Sequence, residues 1–253
     1  MADTKNAQPS LESLVESEDL GFEILHPGGL EITRELARLC GIQKGTYVLD
    51  VASGTGETAC FLAQSLGARV VGIDSSAHML QKAQDKARLR GLPVEFRRAD
   101  AHELPFEDAT FDAVISECTM CLLDKEHAIA EMLRVVKPGG RVGFHDICWK
   151  AHTPEKMKMR LAEIEGERPE TLEGWKALCE SIGLRDVRTM DRSALLSPWM
   201  HETTARLSLP RILGIIRSVI GHWGVRGLLD VWDSEHIFQS RHTGYGIVVA
   251  VRP

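Results

Sequence analysis

Asp50, Gly54, Gly56 and Asp74 have the types and spacing of a nucleotide-binding turn. An apolar stretch, Tyr47–Val51, is followed by the two glycines, and a second apolar stretch ends at Asp74. Glycine reaches positive φ and lets the backbone approach a ligand closely, and a helix that begins directly behind such a turn offers free N–H groups. A carboxylate at the end of the second strand can accept hydrogen bonds from both hydroxyls of a ribose. The pattern predicts a cofactor that contains a nucleoside.

The glycine motif alone does not identify that cofactor, because Gly54-x-Gly56-x-x-Ala59 also satisfies the dinucleotide fingerprint. Asp50 argues against NAD. A carboxylate at the end of the first strand suits an α-amino group, whereas a pyrophosphate would be repelled by it. An NAD-dependent oxidoreductase is therefore the less favoured interpretation.

Three further landmarks follow in order along the chain. Asp100 ends a third predicted strand, the sequence FDAVIS occupies 111–116, and Lys137-Pro-Gly-Gly140 precedes another strand. The series resembles the class I S-adenosylmethionine-dependent methyltransferases, in particular the small-molecule group that includes ubiquinone/menaquinone-type and arsenite-type enzymes. The resemblance covers residues 28–190 and implies S-adenosylmethionine as the cofactor.

The resemblance also implies roles for individual residues. Asp50 would contact the methionine amino group, Asp74 the ribose hydroxyls, and Asp100 with the amide of Ala101 the adenine edge. The cofactor-binding residues expected on this basis are Asp50, Ala52, Ser53, Gly54, Gly56, Asp74, Ser75, Met79, Asp100, Ala101 and Ser116.

The segment His26-Pro-Gly-Gly-Leu30 adds a further expectation. Two glycines that enter a helix suggest an anion site, and Gly29 with Thr33, one turn later, would hold the methionine carboxylate. An ordinary helix start is the alternative.

The acceptor is expected beyond the carboxyl ends of the fourth and fifth strands, where ligands of open α/β sheets bind. Glu117, Cys118 and His145 are the candidate catalytic residues, with Glu117 and His145 as candidate general bases. The expected acceptor-pocket residues are Cys121, Cys148, Trp199 and Trp223.

Two acceptor classes stay open. Three thiols near a methyl donor favour a soft acceptor such as a thiol, trivalent arsenic or selenium. Arsenite-type enzymes have an Asn-Cys pair where this chain has Glu117-Cys118, and their downstream Gly-Cys segment is absent here. The alternative is a C- or O-methyltransferase that acts on a quinone or another lipophilic acceptor. A cofactor-binding regulator without turnover is the alternative from another class, and the competent residues at every cofactor position argue against it.

Alternating apolar strands and amphipathic helices position these residues. They predict a Rossmann-like α/β fold with seven mostly parallel strands, helices on both faces and a helical lid before the last strand. The expected strands are 46–51, 68–74, 93–99, 111–117, 140–148, 184–192 and 245–251, and the expected helices are 10–17, 29–40, 57–66, 76–90, 124–136, 154–164 and 170–182. The expected domains are a partly disordered arm (1–27), the cofactor-binding core (28–193), the lid (194–242) and the last strand of the core (243–253).

The amino-acid composition restricts the possible partners and the cellular location. The chain has 253 residues and a net charge of −6, which argues against non-specific binding to nucleic acid. Its start lacks the apolar core of a signal peptide, and its six cysteines do not resemble a secreted disulfide framework, so we expect a cytoplasmic protein. No metal site is predicted. Arginines among apolar residues in the lid allow a weak contact with a membrane surface.

Overall fold

A seven-stranded sheet forms the centre of the protein in a computed structural model that describes residues 26–205 and 208–253. The strand order is β3-β2-β1-β4-β5-β7-β6, and β7 alone is antiparallel to its neighbours. The strands are β1 (Tyr47–Val51), β2 (Arg69–Asp74), β3 (Glu95–Arg98), β4 (Phe111–Glu117), β5 (Val136–Trp149), β6 (Arg185–Asp191) and β7 (Thr243–Val251). The predicted mostly parallel sheet is confirmed.

Helices cover both faces of the sheet, because the parallel strands are apolar on both sides. The helices are α1 (Gly29–Leu39), α2 (Glu57–Leu66), α3 (Ala77–Leu89), α4 (Lys125–Val135), α5 (Glu155–Glu165), α6 (Leu172–Ile182), α7 (Leu196–Ala205) and α8 (Leu209–Phe238). One apolar cluster joins α1, α2 and α3 to the sheet, and the other joins α4 and α6 to its opposite face. The sheet edge that carries the site is thus held rigidly from both sides.

The structure differs from the expected elements mainly at β5, which begins at Val136 rather than near 140. Val136 pairs with Phe111, and the register then shifts before Ala113 pairs with Arg141. A Cβ on Gly140 would lie 2.7 Å from the carbonyl oxygen of Asp112, so glycine lets the two strands approach at this irregularity.

The segment between β6 and β7 forms two helices, α7 and α8. Gly224 interrupts α8 with non-helical φ 69° and ψ −168°. The second half of α8 is tied to α5 by Arg160, which donates to Asp233 Oδ2 at 2.7 Å and to Asp230 Oδ1 at 2.6 Å. Within the described residues, no helix is long and apolar enough to cross a bilayer.

Two expectations lie outside the described residues. The helix near Ser10–Ser17 falls within 1–25, and so does most of the arm 1–27 that we expected to be partly disordered.

Candidate active site

The turn after β1 brings backbone of Ala52, Ser53 and Gly54 to the end of β2. Ala52 has φ 59° and Gly54 has φ 51°, so the chain leaves the strand through left-handed conformations. Ser53 N–H donates to the Ile73 carbonyl at 2.8 Å, and Gly54 N–H donates to Asp74 Oδ2 at 2.8 Å. The turn and the carboxylate therefore form one unit, which we call the cofactor cradle (residues 50–56 and Asp74).

The two glycines of the motif serve different purposes. A Cβ on Gly54 would meet no atom within 4 Å, so the space beside it is open to a ligand. A Cβ on Gly56 would lie 2.7 Å from both Ala83 Cβ and Phe96 Cζ. Gly56, with φ 76°, is thus required by the packing of α2 against α3 and β3.

Asp74 is ordered by the backbone on both sides of it. Its second oxygen accepts from Ser76 N–H at 2.9 Å, and the Ser76 hydroxyl accepts from Met79 N–H at 3.3 Å as the N-cap of α3. Ser75 is exposed, and Met79 is buried. Because Ser76 caps the helix, Asp74 stays available for the ribose that we expect there.

Asp50 is 1% exposed, and its Oδ2 has no hydrogen-bond partner in the described structure. Burial raises the pKa of this carboxyl well above its usual value, and the nearby Glu117 and Asp74 carboxylates add to the rise. The hydroxyls of Ser53 and Ser116 are also buried without partners. A buried acceptor beside two free hydroxyls fits the α-ammonium and carboxylate of a methionine moiety.

Asp100 lies at the rim of the site and is exposed. Its Oδ1 accepts from His102 N–H at 2.9 Å and lies 2.6 Å from His102 Nδ1. These contacts, from the amide first and then the ring, lower the pKa of Asp100. The half-buried Ala101 follows it. The Asp100 carboxylate therefore stabilises the turn in which it lies. Its role at the adenine stays a prediction.

On the acceptor side, four side chains surround the Glu117 carboxylate, which ends β4 and is 6% exposed. His26 Nε2 lies 3.2 Å from Oε2, and Thr33 Oγ1 donates to the same oxygen at 3.3 Å. The Thr58 hydroxyl donates to it as well. His145 Nε2 lies 2.9 Å from Oε1. We call these five residues the Glu117 network.

The network continues behind His145. The Tyr245 hydroxyl lies 2.5 Å from His145 Nδ1 and 3.1 Å from Cys118 Sγ. His145 and Tyr245 are both fully buried. Register places His145 beside Glu117 across β4 and β5, so the neighbouring strands fix the distance between their side chains.

Charges in the network favour an ionised Glu117. Burial raises the pKa of this carboxyl, but the neighbouring His145 and His26 imidazoles outweigh burial and hold it well below the ordinary value. Burial lowers the pKa of His145, against the opposing effect of Glu117. The imidazoles therefore favour the carboxylate form of Glu117.

The surroundings of Gly29 and Thr33 differ from those expected of an anion site. Gly28, with φ 84°, is the N-cap of α1, and Gly29 begins the helix. Thr33 is fully buried and faces Glu117, which is itself an anion. A role at the methionine carboxylate stays a prediction.

The three cysteines of the acceptor region occupy different surroundings. Cys118 is half-buried with φ 51°, while Cys121 and Cys148 are buried in the fold. Burial raises the pKa of Cys118 and Cys121 well above the usual range, and that of Cys148 to about 12. In the part of the chain that the structure describes, the group with metal-ligand spacing is His26, Glu117 and His145, not the thiols.

The lid tryptophans are spread along two helices. Trp199 is half-buried in α7, and Trp223 packs in a small separate cluster around Val219. Trp232 is 56% exposed, and the centroid of its ring lies 4.1 Å from that of the His236 ring in a tilted arrangement. The expectation that Trp199 and Trp223 wall the acceptor pocket stays a prediction.

Sequence reasoning missed His26, Thr58 and Tyr245 as site residues. Thr58 lies within the first turn of α2, two residues after the glycine motif. Tyr245 is one of only two tyrosines in the chain and lies near the start of β7. No local pattern marks these three, because their contact with Glu117 or His145 arises from the tertiary fold.

Comparison with known proteins defines the class. The family described as "Methyltransferase domain" matches residues 48–140. The methyltransferase GfsG of Streptomyces halstedii is 30% identical over 239 residues, which cover 90% of this chain and 82% of the relative. The chain belongs to the class I S-adenosylmethionine-dependent methyltransferases, and the expected enzyme class and cofactor are confirmed.

Solved structures agree in fold. The [4+2]-cyclase SpnF matches with TM-score 0.77 and 23% identity over 96% of this chain and 92% of that one. The phosphoethanolamine N-methyltransferase 2 of Haemonchus contortus, solved with phosphomonomethylethanolamine and S-adenosylhomocysteine, matches with TM-score 0.78 and 20% identity. That match covers 96% of this chain and 57% of the other. The same fold therefore serves acceptors and reactions of different kinds.

Proposed function

We propose that the protein transfers the methyl group of S-adenosylmethionine to a hydroxyl oxygen of a small, largely apolar molecule. The observation that carries this proposal is the buried, ionised Glu117 carboxylate, held by His26, Thr33, Thr58 and His145 one residue after Ser116. A carboxylate at this position can accept a hydrogen bond from an acceptor O–H group and take its proton as the oxygen–carbon bond forms.

The reaction needs few chemical steps. The acceptor hydroxyl gives its proton to Glu117, and its oxygen attacks the methyl carbon. The carbon–sulfur bond breaks, and its electron pair stays on sulfur, which leaves S-adenosylhomocysteine. Because the sulfonium is already activated, positioning in a site shielded from water supplies most of the acceleration.

The cysteines argue against a soft acceptor. A thiol binds arsenic or a soft metal as thiolate, and burial raises the pKa of Cys118, Cys121 and Cys148. The lipophilic alternative is supported instead by the apolar lid.

An acceptor screen tests the proposal, with S-adenosylhomocysteine formation as the measurement. The panel contains phenols, quinols, aliphatic alcohols, amines, thiols and trivalent arsenicals. We expect turnover with a hydroxyl compound and a loss of about 10²–10⁴-fold in Glu117→Gln, while exposed Glu126→Gln retains full activity. Turnover confined to thiols or arsenicals would overturn the hydroxyl proposal. Cofactor binding without any turnover would favour a regulator.

The proposal also assigns the lid a role: its exposed apolar residues would contact lipophilic molecules. Leu213, Val225 and Leu229 are 60%, 68% and 59% exposed on α8. Such a face supports the weak membrane-surface contact expected from the sequence. Sedimentation with anionic vesicles tests it: the wild type should bind, and Leu229→Glu should bind less. Equal sedimentation of the two would contradict the contact.

A further inference from the structure

Three potential metal ligands converge beside the expected methyl group. One ligand atom each from His26, Glu117 and His145 lies within 4.8 Å of the others. The two imidazole Nε2 atoms lie 3.2 and 2.9 Å from the two Glu117 oxygens. Ligand atoms bound to one ion at about 2.0–2.2 Å lie roughly 3 Å apart, so a pair at the 4.8 Å limit would move closer by about 1–2 Å for all three to share an ion.

The orientation of the contact between Glu117 and His145 is consistent with a shared ligand. Oε1 and Nε2 lie 2.9 Å apart, but the contact lacks the alignment of a good hydrogen bond. His145 is 0% exposed, so water does not satisfy its Nε2 from bulk solvent. Two buried polar atoms in such a contact can both bind to a third partner between them.

We propose that His26, Glu117 and His145 bind one divalent transition-metal ion of the first row. Two imidazoles and one carboxylate suit zinc, cobalt or iron, whereas magnesium and calcium prefer all-oxygen sites. Three protein ligands leave a coordination position open, as in catalytic zinc sites. This differs from the sequence-based expectation that the protein has no metal site.

The surroundings of His145 match those of a metal ligand. A ligating imidazole generally has a hydrogen-bond partner at its other ring nitrogen, which fixes the orientation of the ring. Tyr245 provides that partner at 2.5 Å from Nδ1. The tyrosine is fully buried in β7, so its hydroxyl has a fixed position.

The role of the ion in catalysis rests on the proposed function, but its binding does not. The open coordination position would take the acceptor hydroxyl, which would lose its proton to bulk solvent as it binds. Its oxygen then attacks the methyl carbon as the electron pair of the carbon–sulfur bond moves to sulfur. In this state Glu117 would act as a ligand, and a bound ion would supply the Lewis acidity that favours ionisation of the acceptor.

Cobalt titration of the untagged 253-residue chain, first treated with chelator, tests the site. Visible absorption of Co²⁺ and elemental analysis measure binding, and zinc and magnesium are added as competitors. We expect one Co²⁺ per chain, displaced by zinc and not by magnesium. His26→Ala and His145→Ala should lose this site, and Tyr245→Phe should bind about 10-fold more weakly.

The control is His127→Ala, because His127 forms an exposed pair with Asp124 at 2.9 Å. It should bind Co²⁺ like the wild type. S-adenosylmethionine binding by each variant verifies that it is folded, and His26→Ala decides the outcome if His145→Ala does not fold. The absence of stoichiometric Co²⁺ binding by the wild type, or unchanged binding by His26→Ala, would overturn the metal site. Turnover by the chelator-treated protein would then leave the proposed function intact, whereas Co²⁺ binding without any methyl transfer would support the site and contradict that function.

Discussion

On the cofactor side of the site, backbone groups after β1 meet one aspartate at the end of β2, and a single sequence motif contains most of them. On the acceptor side, Glu117 meets side chains that come from the segment before α1, from α1, from α2 and from β5. The first region is ordered by backbone conformation, and the second by side-chain contacts.

This difference affects how each region responds to substitution. In the cofactor cradle, Asp50 is buried without a full set of partners, so the site is arranged for a ligand at some cost in stability. In the Glu117 network the carboxylate has several donors, so its contacts contribute to the stability of the fold. Replacing Asp50 and replacing Glu117 should therefore change the free energy of unfolding in opposite directions.

The largest effect is expected at Gly56. In Gly56→Ala the new Cβ would contact Ala83 and Phe96 at a residue with φ 76°. Left-handed strain of about 1–2 kcal/mol and overpacking of about 1–3 kcal/mol should lower the free energy of unfolding by about 2–5 kcal/mol. Urea denaturation measures this free energy of unfolding. Gly54→Ala is the control, and its free energy of unfolding should fall only by the part that is due to left-handed strain. Equal losses would mean that Gly56 is not a packing residue.

Glu117→Gln should reduce stability by about 1–3 kcal/mol, because His26, Thr33, Thr58 and His145 lose a charged acceptor. The effect should depend on pH. The pKa of Glu117 is lower in the folded state than its ordinary value of 4.5. Its contribution is therefore fully present above about pH 4.5 and is lost as the pH falls towards the folded-state pKa.

Thermal unfolding across pH 3–7 checks this sign. The stability difference between wild type and Glu117→Gln should be large at neutral pH and should shrink in acid, whereas Glu126→Gln should match the wild type. A difference that grows in acid would contradict an ionised Glu117.

Asp50→Asn should have the opposite sign. Replacing a buried carboxyl whose Oδ2 has no partner should raise the free energy of unfolding by about 1 kcal/mol. The same change should weaken S-adenosylmethionine binding, because a neutral amide lacks the negative charge that attracts an ammonium group. Chemical denaturation and calorimetry measure the two effects. A variant that is both less stable and unchanged in affinity would show that Asp50 is a structural residue.

The smallest effect is expected at Cys118. The serine hydroxyl of Cys118→Ser can still hydrogen-bond to Tyr245, so stability should change by less than about 1 kcal/mol and turnover on a hydroxyl acceptor should persist. Loss of most turnover on a thiol-reactive acceptor would restore the soft-acceptor hypothesis.

The same contrast explains what the sequence could predict. Gly54, Gly56 and Asp74 were predictable, because positive φ and strand ends leave a local signature. The seven strands followed from periodicity, although the early start of β5 did not, since it depends on the close approach of Gly140 to β4. His26 and Tyr245 reach the site only through the tertiary fold, so no spacing in the sequence identifies them.

Calorimetric titration of S-adenosylmethionine into wild type, Asp74→Ala and Glu117→Gln tests most directly whether the two regions have separate roles. The wild type should bind, and Asp74→Ala should bind more weakly by about 1–3 kcal/mol, the cost of removing a partner of buried polar groups. Glu117→Gln should bind almost as well as the wild type. Equal weakening in both variants would contradict the account, because the Glu117 network would then belong to the cofactor site.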